Sequence, residues 1–226
     1  MNVLAIAHRG DPITQRENTT AAFAAAVAAG ADMIELDVRC TSDGEAVVVH
    51  DSTLDRLWGV AKRVAELTAA DVRALGVPDL AQALAAIPES VQVMVDYEEP
   101  EVAQPALDAV LAAGALDRCL FSGDCYDGHR AIRRRAPDAR IACTWTSDAP
   151  VSDALLDELG AEYWNPGGNV LGGDPTQIER MHARGTLVSV WTIDRPEDMQ
   201  FFLDLGVDAV ITNRVADLVE LLERVC

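Results

Sequence analysis

From end to end the chain alternates short apolar runs with Ala- and Leu-rich stretches of helical period, and this alternation leaves few folds open. Strands are expected at Val3–Ala7, Met33–Val38, Val47–His50, Val91–Asp96, Cys119–Ser122, Arg140–Thr144, Ala161–Trp164, Leu187–Trp191 and Ala209–Thr212. Helices are expected between them, at Thr19–Ala29, Leu80–Ala86, Glu101–Ala113, Tyr126–Arg135, Ser152–Leu159, Pro175–Ala183, Glu197–Leu205 and Ala216–Arg224. Several stop at a glycine just ahead of the next strand (Gly30, Gly114, Gly160, Gly185, Gly206), the usual left-handed terminator. Repeated strand–helix order implies a parallel sheet covered by helices. Eight or nine strands in 226 residues suit a closed (β/α)8 TIM barrel better than an open doubly wound sheet. The strand count exceeds the barrel by one, and the surplus is Val47–His50, which follows Met33–Val38 with no room for a helix. No linker or change of composition divides the chain, so a single α/β domain over residues 1–226 is expected.

Charge narrows the partners. Lys and Arg total 18 against 37 Asp and Glu, a formal net charge of -19. Such a surface repels phosphate backbones and anionic membranes, so neither a nucleic-acid nor a peripheral-membrane role is expected. No apolar run approaches the ~20 residues of a membrane span. No secretory segment is evident, and Cys40, Cys119, Cys125, Cys143 and Cys226 are odd in number, scattered and without a C-x-x-C pair. They read as small core residues of a reduced, cytoplasmic protein.

Between the second and third expected strands lies Thr41-Ser42-Asp43-Gly44, and Asp-Gly is a strong hairpin signal. A two-residue turn at Asp43-Gly44 pairs Ser42 with Glu45 and sets Asp37 opposite His50. Alternation puts Glu35 and Asp37 on one strand face, with His50 standing on the same face. A bulge or longer loop would shift this pairing by one residue. Two carboxylates on one face repel unless a proton or cation lies between them. Oxygen ligands favour Mg2+ or Ca2+, with the imidazole free to exchange protons with a bound substrate. The alternative is that both carboxylates line the outside of an edge hairpin. The apolar Met33, Ile34, Leu36 and Val38 speak for two buried faces, where idle carboxylates are costly. At the end of the first strand, His8 precedes Arg9, a bidentate partner for phosphate oxygens, at the barrel rim that carries active sites.

His8-Arg9-Gly10, Glu17-Asn18-Thr19, Ala31-Asp32-Met33-Ile34-Glu35-Leu36-Asp37-Val38 and Asp43-Gly44 followed by Val48-Val49-His50-Asp51 occur in order. This series resembles the glycerophosphodiester phosphodiesterase family, and the tail Val190-Trp191-Thr192, Leu205-Gly206-Val207-Asp208, Ile211-Thr212 is similar to its closing segment. The resemblance implies a (β/α)8 barrel that uses a divalent metal to hydrolyse phosphodiesters, and a place in lipid metabolism. It implies His8 and His50 as general acid and base, Arg9 on the phosphate, and Glu35 and Asp37 on metal. It also implies attack by a glycerol hydroxyl to give a cyclic phosphate that water then opens. A lyase that stops at the cyclic phosphate and a silent ligand-binding barrel are the alternatives.

One stretch departs from the family. Where Glu-x-Lys is usual, this chain has Asp96-Tyr97-Glu98, so Asp96 is expected on metal and an anion replaces the cation. Near a metal and a phosphate an ionised Glu98 is costly. It is therefore an extra ligand, a partner for a cationic substrate group, the mark of a silenced site, or a surface carboxylate turned away. Asn18 reads equally as motif residue and helix N-cap. Trp191, expected to end the eighth barrel strand, is either an apolar wall of the substrate pocket or a core aromatic at the rim; Trp145 and Trp164 are weaker candidates. His129, His182 and Arg133-Arg134-Arg135 read as solvated helix surface. A small-molecule phosphodiester is the expected partner.

Overall fold

The computed structural model describes residues 3–225; Cys226 lies outside the described residues. Eleven strands are seen among them: β1 (Leu4–His8), β2 (Met33–Cys40), β3 (Ala46–Val48), β4 (Thr53–Leu54), β5 (Val60–Arg63), β6 (Gln92–Asp96), β7 (Cys119–Ser122), β8 (Arg140–Trp145), β9 (Tyr163–Pro166), β10 (Leu187–Val190) and β11 (Ala209–Thr212). β1, β11, β10, β9, β8, β7, β6 and β2 neighbour one another in that order, and β1 pairs with β2, closing an eight-stranded parallel barrel with helices around it. β3 is the extra strand, antiparallel to β2. Ile6, Met33, Met94, Leu120, Ala142, Tyr163, Ala209 and Ile211 fill the barrel interior. A larger cluster packs the strands' outer faces against the helices.

The hairpin register differs from expectation by one residue. Val38 faces Val48, Arg39 faces Val47 and Cys40 faces Ala46. The loop therefore has three residues, Ser42-Asp43-Gly44, with Gly44 left-handed at φ 83. The Asp43 carboxylate decides this: it accepts from Thr41 Oγ1 at 2.6 Å and from the Ala69 amide at 3.0 Å, bonds a two-residue turn would not serve. β3 ends at Val48, so His50 is not a ladder partner of Asp37; the Val49 amide bonds the Asp37 carbonyl instead, at 2.9 Å.

No element is expected between His50 and Leu80, yet Thr53 to Ala74 holds β4, β5 and short helices over a small core of Val47, Val49, Leu54, Val64, Leu67, Val72 and Val77. These elements are two to six residues long, too short for periodicity to register.

Gly123 follows β7 at φ 128, and a Cβ there would lie 2.1 Å from the Tyr97 carbonyl oxygen. Gly44 is also left-handed, but a Cβ would meet nothing within 4 Å. Gly44→Ala is expected to cost about 1 kcal/mol of stability and Gly123→Ala about 3 kcal/mol or more, read from urea melts.

Candidate active site

The barrel register gathers the rim residues. His8 is the partner of Glu35 across β1 and β2, Asp37 of Asp96 across β2 and β6, and Asp96 of Ser122 across β6 and β7. Parallel pairing, rather than the hairpin, brings the carboxylates together. His8, Arg9, Glu35, Asp37, His50, Asp96, Glu98 and Trp191 all line one pocket at the C-terminal ends of the strands.

Each histidine is fixed through Nδ1. His8 Nδ1 lies 2.8 Å from Asn213 Oδ1, and Asn213 Nδ2 donates to Asp194 Oδ2 at 2.8 Å. The Asn213 amide and Thr212 Oγ1 also donate to Asp194 Oδ1, at 2.8 and 3.0 Å. A carboxylate only accepts, so Asn213 turns its nitrogen to Asp194 and its oxygen to His8. His8 must then carry its proton on Nδ1, leaving a lone pair on Nε2, which stands 4.0 Å from Glu35 Oε2. Burial, and secondarily the Arg9 charge, pull its pKa below the ordinary histidine value. Asp194→Ala frees the Asn213 amide to turn, so the His8 ring signals in histidine-labelled NMR spectra are expected to move or broaden.

His50 Nδ1 lies 2.7 Å from Asp51 Oδ1. Hydrogen bonds from Arg56, and secondarily from His50, hold Asp51 at about 2, so it is ionised and accepts. The proton therefore sits on His50 Nδ1 and Nε2 is left for the pocket. Arg56 also donates to both oxygens of Glu17, at 3.0 and 2.7 Å, and Glu17 Oε1 accepts from Arg9 NH1 at 2.9 Å. One network thus runs from His50 to Arg9.

Arg9 and Asn18 are the described non-glycine residues with left-handed backbone, at φ 61 and 57. That conformation aims the Arg9 amide at Glu35 Oε2, 2.9 Å away. Asn18 is not the helix cap: Thr19 accepts from the Ala22 amide instead. Fully buried, Asn18 clasps Asp37, donating from Nδ2 to Oδ2 at 2.7 Å and accepting from its amide at 3.3 Å. Arg9 Nε lies 3.1 Å from the same Oδ2, off hydrogen-bond geometry and with no other partner among the described residues.

Glu35 is buried at 4 % exposure, and burial, with Asp37 and Asp96 beside it, pushes its pKa well above the carboxylate range. Asp96 is pushed up to about 7, first by burial and then by Asp37, against a hydrogen bond from Ser122. Among the described residues no three His, Cys, Asp or Glu side chains already converge as a ligand shell. The donor chemistry nevertheless fits a hard divalent cation: three clustered oxygen ligands repel one another, and a cation between them removes the repulsion.

Glu98 has a half-exposed side chain, and its Oε2 accepts from Arg39 NH2 at 2.6 Å. Arg39 was not anticipated, although it continues the period-two face of Glu35 and Asp37. Arg56 and Asn213 had no local signal, since each matters only through tertiary contact. Trp191 lines the pocket, with Nε1 donating to the Asn165 carbonyl at 3.0 Å. It follows β10, which is the seventh barrel strand and not the eighth, because β3 lies outside the barrel. Trp164 is buried among the helices and Trp145 stacks on Tyr126; neither lines the pocket.

His129 is not solvated. It is fully buried, accepts from Tyr97 Oη at 2.7 Å and donates to the Gly123 carbonyl at 3.0 Å. Burial lowers its pKa to about 4. Asp127, Arg134 and Arg135, which suggested a surface helix, are exposed on other sides of it. His182 is partly covered and pairs with Asp208 at 2.8 Å. Arg133 reaches the Leu159 and Gly160 carbonyls, while Arg134 and Arg135 are exposed.

The chain matches the glycerophosphoryl diester phosphodiesterase family over residues 8–217. It is 29% identical over 249 residues to a glycerophosphodiester phosphodiesterase of Caldanaerobacter subterraneus subsp. tengcongensis, covering 99% of both chains. A glycerophosphodiester phosphodiesterase structure from Thermotoga maritima superposes with a TM-score of 0.86 at 23% identity, covering 98% of this chain and 99% of that one. An Oleispira antarctica phosphodiesterase, solved with its product sn-glycerol-3-phosphate, superposes with a TM-score of 0.88 at 20% identity, covering 96% of each. At these identities the two structures establish the barrel.

Proposed function

The chain belongs to the glycerophosphoryl diester phosphodiesterase family, and from that premise we propose that it hydrolyses a glycerophosphodiester to a phosphomonoester and an alcohol at the mouth between His8 and His50. The observation that carries this reading is the pair of imidazoles, each anchored through Nδ1, beside three clustered carboxylates in one pocket.

His8 is the base. Neutral, with its lone pair on Nε2, it takes the proton from the attacking glycerol hydroxyl. His50, protonated on Nε2 as well, gives that proton to the departing alcohol oxygen, while its Nδ1 proton stays in the bond to Asp51. The cyclic phosphate is then opened by water with the two roles reversed, as microscopic reversibility requires. Arg9 binds the phosphate oxygens, held in place by Glu17 and by its left-handed backbone. Trp191 offers an apolar wall to the glycerol or the head group. Glu35, Asp37 and Asp96 would hold Mg2+ or Ca2+, which would neutralise phosphate charge. The catalytic unit spans the whole chain. The free thiols of Cys40, Cys119, Cys125 and Cys143 support a reducing, cytoplasmic setting, and no described helix is long and apolar enough to cross a membrane.

Phosphorus NMR tests this with glycerol diesters of choline, ethanolamine, inositol and glycerol, in Mg2+ or Ca2+. A phosphomonoester that forms with the intact protein and not with His50→Ala is expected. A cyclic phosphate that persists would make the chain a lyase, and an unchanged panel would overturn the reading.

A further inference from the structure

Arg39 is the third residue, after Glu35 and Asp37, on one face of β2, and it spends its guanidinium at the rim. Its side chain is 10 % exposed. Nε donates to the His50 carbonyl at 2.8 Å, NH2 to Glu98 Oε2 at 2.6 Å, and NH1 lies 3.0 Å from Glu99 Oε1. We propose that Arg39, Glu98 and Glu99 form a clamp that positions His50, so that Glu98 acts through Arg39 rather than on metal or substrate. This deepens the proposed function and rests on its reading that His50 acts on the substrate.

The backbone explains why His50 needs a clamp. β3 ends at Val48, so the sheet ladder does not hold the backbone at residue 50. A side chain anchored from the neighbouring strand does so instead. The task suits arginine: one planar fork serves a carbonyl and two carboxylates at once, which a lysine ammonium on a flexible stem cannot do. A guanidinium so nearly buried also needs compensating charge. Glu98 and Glu99, leaving β6 just beyond Asp96, provide it from both sides. A cation at residue 98 would stand against Arg39, so the charge reversal at this position follows from the arginine on the neighbouring strand.

Arg39 and Glu98 are therefore positioning residues, and their variants should separate kcat from KM. Arg39→Lys keeps the charge and loses the fork. Its kcat is expected to fall roughly 10- to 100-fold with KM within about 2-fold of the parent, and the His50 ring signals in histidine-labelled NMR spectra should move or broaden. Glu98→Gln, at a half-exposed position that endangers folding little, should lose less because Glu99 still holds Arg39. Glu98→Lys should lose at least as much as Arg39→Lys. Arg118→Lys is the control, since that guanidinium also holds carbonyls, of Leu84 and Val91, yet touches nothing at the rim; it should leave kcat and the His50 signals unchanged.

The clamp is overturned, with the proposed function intact, if Arg39→Lys keeps kcat and the His50 signals while His50→Ala is inactive. A Glu98→Lys variant more active than the parent would also overturn it, because residue 98 would then act on the phosphate directly. If His50→Ala keeps full activity, the proposed function itself fails and the clamp loses its purpose.

Discussion

His50→Ala is expected to slow single-turnover alcohol release ~10²–10⁴-fold on glycerophosphocholine and almost not at all on glycerol 3-phospho-p-nitrophenol, while His8→Ala slows it comparably on both. Choline departs as an alkoxide unless a proton reaches its oxygen in the transition state, so the acid matters. p-Nitrophenolate is a stable anion and needs no proton. The glycerol hydroxyl attacks in both substrates and needs its proton removed in both. The assignment behind this contrast comes from hydrogen bonding: Asp194 orients Asn213, Asn213 fixes the His8 tautomer, and burial keeps His8 neutral. Release of p-nitrophenolate by absorbance and of choline by a coupled assay give the two rates. If His8→Ala is the variant rescued by the activated substrate, the two roles are exchanged. If both variants lose equally on both substrates, neither imidazole is specialised.

The barrel was legible because its signals are local. Strands such as Cys119–Ser122 and Ala209–Thr212 agree with expectation to the residue, since an apolar run flanked by helix stops needs no tertiary information. The rim residues were legible in part for the same reason: alternation puts Glu35 and Asp37 on one face of β2, while His8 and Asp96, which end β1 and β6, stood out through the family resemblance. The hairpin register was not, because the Asp43 carboxylate reaches forward to the Ala69 amide, a contact 26 residues away. His50 still lines the pocket, by a route the turn rule could not supply. Asn213, Arg56 and Asp194 were invisible for a related reason. An asparagine after the last strand or an arginine in a four-residue helix carries no pattern until the barrel closes and brings it to a histidine or its partner. The Glu98 substitution looked like a defect while residue 98 was considered alone, and becomes a matched pair once Arg39 stands beside it.

Divalent cations are expected to raise the melting temperature by roughly 5–10 °C at pH 8 at about 100 times the dissociation constant, and by much less at pH 5. In the unfolded chain Glu35 and Asp96 ionise in the ordinary carboxylate range. In the folded protein Asp96 holds its proton to about 7 and Glu35 is displaced in the same direction. Between about pH 4 and 7 the folded state therefore binds more protons than the unfolded one, and this pair subtracts stability as pH rises through that window. A cation competes with those protons, so it gains little at pH 5 and most above 7. Melting the protein without cation would not isolate this effect. His129, lowered to about 4, and His8, lowered too, are neutral in the fold and charged in the unfolded chain below about 6.5, so they add stability as pH rises over part of the same range. Asp51 lies clear of both, its contribution being lost only as pH falls from about 4 toward 2. The difference between melts with and without cation cancels His129 and leaves the carboxylates together with His8, which lies 4.0 Å from Glu35. Potassium at matched ionic strength controls for screening of the -19 net charge. Glu35→Gln should abolish most of the pH 8 shift. A shift of equal size at both pH values, or one that survives in Glu35→Gln, would place the cation on the acidic surface and remove it from the site.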